Sequence, residues 1–254
     1  MAFQIGQALG RGTRRSLSVS GIVLLVSMLL YQIAFIGALN TVISNFLNDL
    51  PEEAATTGAA EIGFSFPIPT SVAAIIGGVA LLFGTVVFFL AARLLSRDLS
   101  ELGSVPGELV SHRFFRALLT TLAVSLISGI IIVIGLVMLI VPGLFFAVSF
   151  QFAIYAVAVE DRGPIDALGR SWELASGNRW KLFGLVILIA VISGIGTSIG
   201  TVVSLGNPMA GEVVSLVFNS VFAILTYGIL ADAFVQLREE PTTESTTVSG
   251  TEPL

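Results

Sequence analysis

Residues 117–159 read ALLTTLAVSLISGIIIVIGLVMLIVPGLFFAVSFQFAIYAVAV, with no charged residue in the run. One helix of this length would extend about 65 Å at 1.5 Å per residue. The hydrocarbon core of a bilayer is only about 30 Å thick. Pro142-Gly143 puts a strong turn signal inside the run. The stretch therefore predicts two membrane spans, 117–141 and 144–159, joined by a tight turn. A kinked or re-entrant pair is the competing reading.

Four more apolar runs flank this pair, at 17–39, 71–92, 182–205 and 213–231. Each is long enough to cross a bilayer as a helix. Composition agrees. Of 254 residues, 55% are apolar and 11% are charged, against about 25% charged in soluble domains. Mean hydropathy is +0.96. Such a chain cannot cover a soluble globule with polar surface. A net charge of −5 argues against nucleic-acid binding, which needs a basic face. There is no cysteine and one histidine. This excludes disulfides, thiol nucleophiles, cysteine-held zinc and a histidine-rich metal site.

The charges orient the spans. All 12 basic residues lie before the first span, after the second, after the fourth, or at Arg238. The other connections carry acids: Asp49, Glu52, Glu53 and Glu61 in the first, Glu212 in the third. The positive-inside rule then places both termini in the cytoplasm. Thr13-Arg14-Arg15-Ser16-Leu17 resembles a twin-arginine export signal. The apolar run after it is too long for a signal core, and no A-x-A site follows. It reads as an uncleaved first span. The expected fold class is an all-α integral membrane protein with six transmembrane helices and short cytoplasmic interfacial helices. Residues 1–238 form the membrane domain, and residues 239–254, EEPTTESTTVSGTEPL, form a disordered cytoplasmic tail.

Between the fourth and fifth spans comes EDRGPIDALGRSWELASGNRWK, residues 160–181. Pro164 suits the first turn of a helix and Gly177 its end. Ile165, Leu168, Trp172 and Ala175 share one side at 100° per residue. Asp166, Arg170 and Glu173 share the other. The pattern predicts an amphipathic helix in the membrane interface. Trp172 and Trp180, the only two tryptophans, would anchor it at headgroup level. Ala8-Leu9-Gly10-Arg11 recurs as Ala167-Leu168-Gly169-Arg170, and Pro106, Leu109, Phe114 and Phe115 precede the third span. Three units of interfacial helix plus two-span hairpin are one reading of this recurrence.

Pro142-Gly143, a short span, Glu160-Asp161 and then Ala167…Ser171-Trp172…Leu174…Gly177…Trp180…Phe183 carry a resemblance. This stretch resembles the glycerophosphodiester phosphodiesterase membrane-domain family and its prokaryotic polytopic relatives. The specific part runs from Pro142 to Phe183, and the six-span layout extends it loosely over the chain. In that family the phosphodiesterase activity resides in a separate barrel domain after the membrane part. Such a barrel needs about 250 residues, and 16 follow Arg238 here. The resemblance thus implies the membrane domain without the enzyme.

Few polar groups lie within the spans. Arg93 and Asp232 sit at similar depth and are expected to form an ion pair. Gln32, Gln151 and Asn219 are candidates for a polar path, with interhelical hydrogen bonding as the commoner use of such groups. Gly196, Gly200 and Ser204 repeat at i, i+4, i+8 and permit close helix approach, within the bundle or in a homo-oligomer. His112, between basic residues, reads as an interfacial group. No nucleophile with a base, and no phosphate-cradling motif, is present. Eleven arginines to one lysine, with acidic outer loops, point to a high-salt archaeal source. The sequence therefore predicts a multi-pass cell-membrane protein that is not an enzyme and takes no cofactor or metal. Its expected partner is the lipid bilayer, and its expected role is membrane organisation or support. The alternative is a small-solute or lipid transporter.

Overall fold

A computed structural model describes residues 4–49, 63–103 and 114–239. His112 and the expected tail beyond Glu239 lie outside these residues, as do Pro106 and Leu109. The described chain is helical, and no strand occurs within it. The helices are α1 (Ile5–Ser16), α2 (Val19–Asn48), α3 (Thr70–Leu95), α4 (Phe114–Met138), α5 (Ile140–Phe150), α6 (Ala153–Glu160), α7 (Pro164–Ala175), α8 (Arg179–Gly206) and α9 (Pro208–Glu239). A short 3-10 turn, Leu99–Glu101, follows α3. Six helical segments are long and apolar enough to cross a membrane: α2, α3, α4, α5 with α6, α8 and α9.

The first span is longer than its apolar run, because α2 carries on past Leu39 to Asn48. Its polar last turns are held by the chain that returns from the loop. Asn40 donates to the Phe64 carbonyl at 3.0 Å, and Asn45 to the Ile68 carbonyl at 3.3 Å. The Phe66 N–H donates to Thr41 Oγ1 at 2.7 Å. The Glu212 carboxylate accepts from the Phe64 N–H, tying this loop to α9. Backbone that would otherwise need water is satisfied by the protein.

The turn between the third and fourth spans is not at Pro142-Gly143. It lies at Leu139, which is extended (φ −163, ψ 146) between α4 and α5. Pro142 stands inside the first turn of α5, where its missing N–H removes a donor that has no intrahelical acceptor. Gly143 is used for packing, since a Cβ there would run into Leu136 on α4.

The core sits at the end of the bundle where Gln4 and Glu239, the first and last described residues, lie. It joins Ala8 of α1, Phe89 and Leu95 of α3, Phe152 and Tyr155 of α6, Leu182 of α8 and Phe234 of α9. The α5–α6 segment is the most enclosed span, with 44% of its window buried, against 17% for α4 and α8. Outward faces carry Leu30, Val79, Leu126, Ile130, Val191 and Val202, all exposed from the protein. A soluble domain does not leave so broad an apolar surface uncovered; a hydrocarbon environment covers it.

Candidate functional site

α1 opens after Gln4 and lies against the last turns of α9. Its small residues permit this. A Cβ on Gly12 would meet the Ile229 backbone, and one on Gly228 would meet Gly12 and Ser16. The Ser16 hydroxyl donates to the Ile224 carbonyl at 2.9 Å. The crossing brings two arginines to one acid. Arg11 Nε is 3.2 Å from Asp232 Oδ2, and Arg15 Nε is 3.2 Å from Oδ1. Arg15 also donates to the carbonyl of Leu95 at 2.7 Å and to that of Arg97, closing the C-terminal end of α3. Gln236 donates to Asp232 at 2.8 Å and accepts from the Gln4 N–H at 3.1 Å. The described ends of the chain thus meet at one end of the bundle.

Asp232 therefore takes its cations from α1 rather than from Arg93. The Arg93 guanidinium carbon lies 5.9 Å from the Phe89 ring centre. Equal depth on neighbouring spans suggested the pair. The docked α1 fills that position with two cations that reach the carboxylate directly.

The second polar centre is the break in the fourth span. Gln151 and Phe152 form a turn between α5 and α6. The Ser171 hydroxyl of α7 bridges it, accepting from the Phe152 N–H at 3.1 Å and donating to the Ser149 carbonyl at 2.7 Å. α7 begins at Pro164 as expected, and Gly177 beyond its end has φ +85. The buried face of α7, however, is turned by roughly a quarter turn from the expected stripe. Ala167, Leu168, Ser171, Leu174 and Ala175 are buried, whereas Ile165 is 79% exposed and Trp172 37%. Small residues allow the closest approach, and Ser171 must face the broken backbone. Trp180 is 87% exposed.

The remaining candidates do not form a common path. Gln32 is buried and donates to Ser220 at 3.0 Å, an α2–α9 contact. Asn219 faces outward and bonds the Ser215 carbonyl of its own helix at 2.8 Å. Gln151 has both amide atoms buried without a hydrogen-bond partner among the described residues. The Tyr155 hydroxyl donates to the Tyr227 carbonyl at 2.9 Å. Gly196, Gly200 and Ser204 are filled from within the chain, against Phe218, Ser215 and Gly211 of α9. A homo-oligomer would need another face. Near the start of α4 and the end of α6, Arg116, Thr120, Val157, Asp161 and Arg162 line a cleft of about 30 Å³, room for about two waters. No group of three or more metal-ligating side chains occurs among the described residues.

Sequence reasoning missed Ser171 and the arginines of α1. One available signal was the repeated ALGR. Ala8 and Ala167 are both fully buried. Arg11 pairs with Asp232 near the end of α9, and Arg170 pairs with Glu160 at the end of α6, at 3.3 Å. The two amphipathic helices are docked alike.

A family model described as a domain of unknown function, DUF7847, matches residues 3–237. The chain belongs to the DUF7847 family. The matched region takes in α1, all six spans and both polar centres. No curated protein and no solved structure matches the chain.

Proposed function

We propose that this DUF7847 chain is a multi-pass cell-membrane protein, with both termini cytoplasmic, that organises or supports the bilayer without catalysis. The observation that carries the reading is how the polar side chains inside the bundle are used. Asp232 is matched by Arg11 and Arg15, Gln32 by Ser220, and the broken backbone by Ser171. These contacts fix helices to one another. The orientation is supported by the twelve basic residues, which share the side of both termini. The resemblance of the Pro142–Phe183 stretch to glycerophosphodiester phosphodiesterase membrane domains supports this reading.

One observation favours the transport alternative. Gln151 lies at a helix break with its amide unpartnered among the described residues, and broken helices carry substrate sites in many transporters. A strain lacking the gene separates the two. The proposal expects altered lipid composition or bilayer order with solute uptake unchanged. A selective loss of uptake or export of one solute class, restored by the wild-type gene but not by Gln151→Leu, would replace it with the transporter.

A further inference from the structure

Arg179 opens α8 at the level where α5, α7 and α8 meet. Its guanidinium carbon lies 4.5 Å from the Trp172 ring centre and 4.7 Å from that of Phe145. The two rings meet edge to face at 5.4 Å, and Phe150 closes the aromatic wall 6.0 Å from Trp172. Rings on two sides hold the cation in one place. Arg179 Nε is buried without a hydrogen-bond partner among the described residues. Two acids of this connecting stretch pair with other arginines. Glu173 lies 3.5 Å from Arg170, and Glu160 binds Arg162 and Arg170. Among the described residues no carboxylate pairs with Arg179, and the next two residues in the chain, Trp180 and Lys181, are exposed.

We infer that this pocket binds the phosphate of an anionic phospholipid headgroup. Three features point there. A guanidinium supplies a planar set of donors that suits phosphate. Tryptophans settle at headgroup depth; Trp172 faces this cation, and Trp180, the residue after Arg179 in the chain, is exposed. Basic pockets between spans are where headgroups are recognised. Exposed Leu144 and Ile187 continue the surface of α5 and α8 with apolar side chains that suit acyl chains. The shared chemistry is a phosphate anion, and the apolar continuation selects the lipid over free phosphate. The inference rests on the chain being embedded in a bilayer, but not on which way round it sits.

The tryptophans are the probe. The full chain is reconstituted in phosphatidylcholine vesicles, and brominated phosphatidylglycerol or brominated phosphatidylcholine is titrated in. Quenching by both lipids, with phosphatidylglycerol preferred about five-fold, is expected, the ratio set by about 1 kcal/mol per cation at the surface. Arg179→Gln should bring the ratio to about one, and Arg179→Lys should keep an intermediate preference. Excess inorganic phosphate should leave the wild-type preference in place. Equal quenching by both lipids in the wild type overturns the site, whatever the variants do. Loss of the preference in inorganic phosphate assigns the pocket to free phosphate and overturns the lipid. An unchanged ratio in Arg179→Gln overturns the role of Arg179. Absence of quenching by either lipid contradicts the membrane embedding itself, a distinct failure.

Discussion

Asp232 is 1% exposed and Arg15 5%, so their charges are matched inside the protein rather than by water. Removing one member of such a pair leaves the other buried and uncompensated, which costs about 3–5 kcal/mol. Asp232→Asn should therefore lower stability by about 3 kcal/mol, the low end because the Arg11 side chain is 44% exposed. Unfolding in detergent, followed by circular dichroism, measures it. Arg15→Gln combined with Asp232→Asn should cost less than the sum of the two single changes, since neither charge is then left alone. A purely additive cycle would deny the coupling. The sequence shows Asp232 as an intramembrane acid in need of a cation. It does not show which cation, because Arg11 and Arg15 reach Asp232 only after α1 folds back on α9. Gly12 and Gly228 permit that approach, and they are 216 positions apart in the chain.

At the scale of the element, α7 is a bracket on the broken fourth span as well as an amphipathic helix. One hydroxyl, that of Ser171, serves a donor and an acceptor on the α5–α6 backbone. Ser171→Ala should cost about 1–3 kcal/mol, because it leaves the buried Phe152 N–H and Ser149 carbonyl short of partners. Hydrogen exchange at the Phe152 amide should quicken while exchange in the middle of α2 stays unchanged. Equal exchange at Phe152 in both proteins would show that the bridge does not hold the break. The limits of α7 were legible, since Pro and Gly mark helix ends by local geometry. Its rotation was not. Periodicity ranks faces by apolarity, whereas the docked face is chosen by small size and one hydrogen bond. The turn at Leu139 was missed for a related reason. Pro-Gly serves equally in a turn and in the first turn of a helix, and only the packing of Gly143 on Leu136 decides between them.

Over the whole molecule, six spans were readable because hydrocarbon thickness sets their length and composition. The helix ends were less so. α2 and α9 outrun their apolar runs, held at one end by the returning loop at residues 63–69 and at the other by the docked α1. The polar centres were only half legible, since hydropathy names the polar residues but not their neighbours. In the proposed topology the docked α1, the α7 bracket and both termini lie on the cytoplasmic side, with the α8–α9 turn outside. The chain has no cysteine, so an introduced one labels without background. Gly206 and Gly169 have open space where a Cβ would be added. Labelling of intact cells with a membrane-impermeant maleimide should modify Gly206→Cys at once, and Gly169→Cys only after permeabilisation. Immediate labelling of Gly169→Cys, with Gly206→Cys protected until the membrane is opened, would contradict it.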